Sequence, residues 1–364
     1  MKLKVMRLAK AGLRFLLDPL ESLHGPLTPA YLIARELRDK FDIVFVSQMI
    51  DKSVAELLSS YGFRTMNLHK HFFFSGSLRT LEAWLRKTNL DLEDQSAVVV
   101  NFSQCFVSDA DVYYAQGPMT KALDDIRHEM TSSYRFVYRM MRSFFVKRDR
   151  AFVGKLKSQS KSFVANSNFC ASIYEDWGIS VDKVIYPPLD CMLFKPSTRD
   201  PSADYVLTYA GKETKYSALE RISDTGVKIK VFGSKAPSIG SLPKRANIEF
   251  LGKVTDEQLA VLYSNALFTL SIFTHEPFGY IPIESMACGT PVLTYGVQGP
   301  SESVINGKTG WFVKDDSQLV NVATQIWREG YPSRIREDCR NRALDFDAKT
   351  IAEQWLELFK NLQN

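Results

Sequence analysis

The sequence predicts an α/β protein built on two parallel sheets, and three observations carry that expectation. At 364 residues the chain exceeds what one hydrophobic core usually serves. Short β-rich runs alternate with helical patterns along most of its length. A cluster of prolines and small polar residues at 187–200 then splits that alternation into two sets.

The opening MKLKVMRLAKAGLRFLL is basic, with scattered apolar residues and no clean apolar core before a small-residue cleavage site. It reads as a first strand and loop, not a signal peptide. Strand-like runs follow at 41–48, 96–103, 111–116 and 161–167. Beyond the proline cluster they recur at 204–211, 227–233, 247–252, 266–273 and 291–296. In the tail, Ile351, Trp355, Leu358, Phe359 and Leu362 have helical spacing and should pack one face. No stretch approaches the roughly 20 apolar residues that a membrane span needs. The five cysteines (105, 170, 191, 288 and 339) are dispersed and lack CxxC spacing. That pattern favours reduced thiols in a cytosolic setting and argues against a zinc site.

The richest stretch is THEPFGYIPIESMACGTPV, residues 274–292, in which Glu276 and Glu284 stand eight positions apart. Pro282 lacks an amide donor and Gly279 sits between two prolines, so no single helix contains the run. The expected local structure is a strand end, a tight loop through Phe278–Tyr280, and a short helix starting near Pro282 and closed by Gly289. Loop amides and the first helical turn would then point one way, as a cradle for an anion or a sugar. Both carboxylates would face a single polyhydroxylated ligand.

This segment resembles the E-x7-E signature of retaining GT-B glycosyltransferases of the glycosyltransferase-1, family-4 type. Ala287–Val292 resembles that family's A-C-G-T-P-V strand entry. Gly299-Pro-Ser-Glu302 and Gly307-Lys-Thr-Gly-Trp-Phe-Val313 resemble its continuation, and Phe250–Val254 with Leu259 and Tyr263 resembles its upstream F-L-G-x-V pattern. The resemblance is dense over 205–320 and thin before. It implies two Rossmann-like doubly wound domains facing a central cleft: 1–190 for the acceptor, 191–345 for a nucleotide-sugar donor, and 346–364 as a helix crossing back to the first. Glu284 would accept hydrogen bonds from ribose hydroxyls, as a carboxylate offers lone pairs to two adjacent hydroxyls. Glu276 and the amides around Phe278, Gly279, Tyr280 and Ile281 would meet the sugar. Gly211 and Val254 would line the donor, and Lys212 and Lys215 would meet its diphosphate. Glu276 and Lys215 are the residues assigned to catalysis. The lysines depart from the family in type and spacing, and a solvated loop is the other reading of them.

The first half departs further. It lacks the family's glycine pair after the first strand, having only Gly12 and Gly25 there. Where many members place a histidine, it offers Gln116, which can orient a hydroxyl but cannot titrate. His24 is a further candidate near sugar or acceptor, and the lone His275 reads as structural. Asp109-Ala-Asp111 matches a metal–diphosphate pattern of another fold but reads as a solvated turn ahead of a strand; no metal or cofactor is expected beyond the GDP- or UDP-linked co-substrate.

Residues 134–161 hold nine Lys and Arg against one acid, Asp149. Val137, Met140, Met141, Phe144 and Phe145 fall at i, i+3, i+4, i+7 and i+8, a basic amphipathic helix. The stripe is expected to pack on the first sheet, leaving the charge to face an anionic membrane surface. Phe72–Phe74 form an apolar patch whose place is open. Residues 1–190 carry 26 Lys and Arg against 21 Asp and Glu, so the net +5 belongs to the first half. That modest charge, with no recognised motif, argues against nucleic acid. The expectation is a cytoplasmic, peripherally membrane-bound glycosyltransferase. Tyr186–Asp190 resembles mannosyltransferases of lipid-linked oligosaccharides, which implies a glycan or polyprenyl-linked acceptor. A non-catalytic GT-B-like subunit that binds nucleotide or glycan is the alternative, and a GT-B epimerase lacks a convincing His/Asp set.

Overall fold

The computed structural model describes residues 10–21, 27–92, 96–127, 132–198, 201–211, 213–233 and 245–363. Seven strands in the first half form one parallel sheet: β1 (Ala11–Leu17), β2 (Phe41–Ser47), β3 (Arg64–Asn67), β5 (Val98–Asn101), β7 (Ala110–Ala115), β8 (Ser160–Ala165) and β9 (Lys183–Val184). They run in the order β3-β2-β1-β5-β7-β8-β9, and β4 (Thr88–Asn89) pairs with β6 (Phe106–Val107) beside them. Helices α1 (Leu27–Leu37), α2 (Lys52–Ser60), α3 (Gly76–Arg86), α4 (Met119–Ile126), α5 (Ser132–Ser158) and α6 (Asn168–Glu175) supply the crossovers. Apolar residues cover the sheet on both faces, Phe15, Phe45 and Val100 on one and Leu16, Val44 and Val99 on the other, which is why its strands read as continuous hydrophobic runs.

The second sheet joins β10 (Val206–Tyr209), β11 (Ile229–Phe232), β12 (Ile248–Gly252), β13 (Thr269–Ser271), β14 (Val292–Tyr295) and β15 (Gly310–Val313). Its order is β12-β11-β10-β13-β14-β15, again parallel throughout. Helices α7 (Tyr216–Ser223), α8 (Asp256–Asn265), α9 (Tyr280–Ala287), α10 (Pro300–Ser303), α11 (Asp316–Glu329) and α12 (Arg334–Ala343) flank it. Each sheet reverses its strand order once, between β1 and β5 and between β10 and β13. Open α/β sheets hold ligands at such switch points, beyond the carboxyl ends of the strands.

The final helix, α13 (Ala348–Gln363), belongs to the core of the first sheet. Trp355 is fully buried there, its ring 5.3 Å from Tyr114, 5.9 Å from Phe102 and 5.7 Å from Phe359. Truncating it to alanine should destabilise the protein by about 3–5 kcal/mol, measured by chemical denaturation.

Three sequence expectations change. Helix α9 begins at Tyr280, two residues before Pro282, and its cap Gly279 has φ of 98°. Asp111 is not in a solvated turn: it lies in β7, accepts the Val99 amide at 2.8 Å and pairs with Lys161. The third concerns α5. Val137, Met140, Met141 and Phe144 are exposed, and only Phe145 of the stripe packs inward, against Trp84 and Tyr138. A different set seats this helix: Tyr138, Asp149, Phe152, Val153 and Leu156. Asp149 is buried and accepts both the amide and the hydroxyl of Thr120 at 2.8 Å. That buried carboxylate fixes the helix rotation, because unpaired it would be costly, and the N-terminal stripe therefore turns off the sheet.

All five cysteines are free and buried. Among the described residues no helix is long and apolar enough to cross a membrane, and no His, Cys, Asp and Glu group is gathered to hold a metal ion.

Candidate donor site between the two sheets

The loops leaving β10 and β13 meet at the switch point of the second sheet. Thr214 bridges to Phe273, the Lys215 amide donates to Ile272 O at 2.9 Å, and the Thr274 amide donates to Glu213 O at 2.9 Å. Gly211 and Lys215 therefore lie beside the Glu276 loop, although they are distant in sequence. Tyr209 leaves no room for a side chain at Gly211: a Cβ there would sit 2.3 Å from its ring. Lys212 and His24 lie outside the described residues.

Glu276 sits at the floor of this junction. Its amide donates to Gln298 Oε1 at 2.6 Å, and its carbonyl accepts the Gly299 amide at 3.0 Å. Gly299 is required by close approach, since a Cβ would fall 2.2 Å from Phe278 Cα. Burial pushes the Glu276 carboxyl up to about 8, with repulsion from Glu213 and Glu284 adding to it and amide hydrogen bonds from Gly279 and Phe278 opposing it. Glu284, in α9, accepts a hydrogen bond from Tyr263 OH at 3.0 Å; burial lifts its carboxyl to about 7. Both carboxylates are thus held short of full hydration, and each gains from a ligand that donates hydrogen bonds.

The side chains between them face elsewhere. Phe278 is buried between Tyr186 and Phe346, each 5.6 Å away, and Tyr280 OH donates to Pro188 O at 3.2 Å. Ile281 and Val254 are half-buried against the same apolar cluster. What Phe278–Ile281 present to a ligand is backbone. Lys215 is engaged: its Nζ lies 2.6 Å from Asp316 Oδ1, which also accepts Tyr295 OH at 2.6 Å. Its ammonium has three donors, so a diphosphate could share Lys215 with Asp316.

The first sheet's switch point faces this loop. Gln116 donates to Phe102 O at 3.3 Å, and Gly117 lies against Pro277. Ser167 Oγ donates to Pro277 O at 2.6 Å. His275 Nδ1 lies 2.8 Å from Asp125 Oδ2 on α4, so this histidine joins the two halves beside Glu276.

Three residues of this region carried no assigned role in the sequence reading. Asp18, at the end of β1, is buried and accepts Ser103 Oγ at 2.5 Å and the Gln104 amide at 3.0 Å; burial raises its carboxyl. Gln104 in turn donates to Gly117 O at 2.8 Å, which ties Asp18 to the Gln116 loop. Its signal was an acid directly after an apolar strand. Glu302, the last residue of the Gly299-Pro-Ser-Glu302 motif, clasps the halves. It accepts the Asn168 and Phe169 amides at 2.8 and 2.7 Å, and Tyr186 OH at 3.1 Å. Glu302→Ala leaves the first two amides of α6 without their acceptor, while Ser167 still caps the helix through the Cys170 amide, and should cost about 2 kcal/mol. A larger radius of gyration in small-angle scattering is the expected sign of the opened clasp; an unchanged one would assign the clasp to other contacts.

Residues 206–344 match the family model described as glycosyl transferases group 1. Among curated proteins, a probable sucrose-phosphate synthase of Thermosipho melanesiensis is 31% identical over 32% of this chain. An alpha-1,3/1,6-mannosyltransferase ALG2 of Dictyostelium discoideum is 33% identical over 30% of it. Each alignment spans 28% of the relative's own length. Among solved structures, Anabaena HepE in complex with UDP superposes with a TM-score of 0.69, covering 96% of this chain and all of that one at 17% identity, a likeness of fold. The fold is GT-B, and the second half carries the group 1 glycosyl transferase match.

Proposed function

We propose that this GT-B protein, whose residues 206–344 belong to the group 1 glycosyl transferases, is a retaining glycosyltransferase using a GDP- or UDP-linked sugar. The observation that carries this is the Glu276–Glu284 pair, lifted towards neutrality at the β10/β13 switch point and facing the Gln116 loop of the other sheet. Glu284 takes the ribose hydroxyls, and Glu276 with the Phe278–Ile281 amides takes the sugar. The start of α9 and Lys215, which Asp316 holds in place, offset the charge of the departing diphosphate. The acceptor oxygen bonds to the anomeric carbon on the face that the diphosphate leaves, and the hydroxyl proton passes to the diphosphate oxygen. No metal is required by this account. The acceptor lies against the first sheet, near Gln116 and Asp18, and is a glycan, in our reading a lipid-linked one.

A stability screen against UDP, GDP, ADP and their sugar conjugates tests the donor. A ligand at about 100 times its Kd stabilises the fold by about 2.7 kcal/mol. A response to one nucleotide fixes the donor class. Silence at millimolar ligand would favour a non-catalytic GT-B subunit, consistent with a Lys215 already committed to Asp316.

A further inference from the structure

We propose that the first turns of α5 dock the protein on an anionic phospholipid surface. Tyr134, Phe136, Val137, Met140, Met141 and Phe144 are all exposed, with Met140 at 71%. Six large apolar side chains are thus exposed within eleven residues of one helix, Phe144 touching the partly buried Phe145 with ring centroids 5.7 Å apart, far from the scattered exposure that needs no explanation. The opposite flank carries Arg135, Arg139 and Arg142, which with Arg127, Phe136 and Tyr138 line a cavity of about 370 Å³ between the ends of α4 and α5. Arginine is the side chain suited to phosphate, and an aromatic floor suits the junction of headgroup and acyl chain.

Charge selects lipid over a second copy of the chain. The only acid of α5, Asp149, is buried on Thr120, so the charge that the helix exposes is positive. A two-fold contact through this face would set arginine against arginine, whereas an anionic leaflet complements it and accepts the apolar flank. The neighbouring α3 adds Phe73, at 88% exposure, and Phe74, on the loop before it. The docking face also connects to the cleft. On α4, Asp124 accepts Arg142 and Tyr138 of α5, and the next residue, Asp125, holds His275 beside Glu276. A docked leaflet would therefore lie one short helix from the sugar site.

The inference goes beyond the transfer reading, and vesicle flotation tests it without donor or acceptor. Full-length protein is floated with vesicles of phosphatidylcholine, alone or with about one third phosphatidylglycerol. Binding to the anionic vesicles should exceed binding to neutral ones by at least about tenfold and weaken with salt. The double variant Met140→Glu, Phe144→Glu should lose it, and Arg135→Gln with Arg139→Gln should lower it by about fivefold per charge. All four positions are exposed, so melting temperatures should match the wild type. Equal binding to both vesicles, full binding by the glutamate variant, or a solution dimer abolished by the same substitutions would each overturn the proposal.

Discussion

Glu284→Ala should cut the stabilisation that a nucleotide donor gives the wild-type protein to about half or less. A carboxylate accepting hydrogen bonds from ligand hydroxyls contributes about 1.5–3 kcal/mol per charge-assisted bond, so Kd should rise by about one to two orders of magnitude. At a ligand concentration of about 100 times the wild-type Kd, the stabilisation should then fall from about 2.7 to about 0.4–1.4 kcal/mol. The substitution also leaves Tyr263 OH without its acceptor, so the control is Glu284→Gln, which keeps that bond and lacks the charge. Titration calorimetry with UDP and GDP reads the loss directly. A full response from the alanine variant would refute a ribose-binding Glu284.

Glu276→Gln should separate activity from stability. Transfer should fall by about two orders of magnitude or more, while the ligand-free protein becomes more stable at alkaline pH. The sign follows from proton linkage. Both carboxyls are raised in the fold, Glu276 to about 8 and Glu284 to about 7, from an ordinary 4.5. The folded protein binds their protons more tightly than the unfolded chain does. Their contribution is therefore fully present below 4.5 and lost as pH rises through 7 and 8. The lowered carboxyls Asp124, Asp125, Asp190 and Asp316 act in the other direction: they stabilise above 3.8 and lose that as pH falls below it. Urea denaturation between about pH 5 and 8.5 should show wild-type stability falling by roughly 1–3 kcal/mol once solvent screening is allowed for. Glu276→Gln should flatten that fall, and a profile identical to the wild type would place Glu276 in a more hydrated setting than its neighbours indicate.

Much of this architecture was legible in the chain. The nine apolar runs are strands in the structure, because a parallel sheet buried on both faces needs uninterrupted apolar segments. Short or polar strands such as Arg64–Asn67 and Lys183–Val184 went unread, since edge strands carry little of that signal. The Glu276–Glu284 spacing was legible because proline and glycine dictate the loop locally. The orientations of Phe278 and Tyr280 were not, because their partners come from residues 186–188 and 346.

The sequence by itself determined the two sheets, the basic amphipathic character of residues 134–158 and the carboxylate pair at a strand-to-helix loop. All of these follow from local periodicity and backbone chemistry. Only the tertiary structure decided that Lys215 pairs with Asp316, that His275 meets Asp125, that Glu302 accepts the first amides of α6, and that the apolar flank of α5 faces outward. Each of those outcomes depends on which distant group reaches a buried or half-buried charge first. An amphipathic pattern says that a helix has an apolar side, but Asp149, anchored on Thr120, determines where that side points.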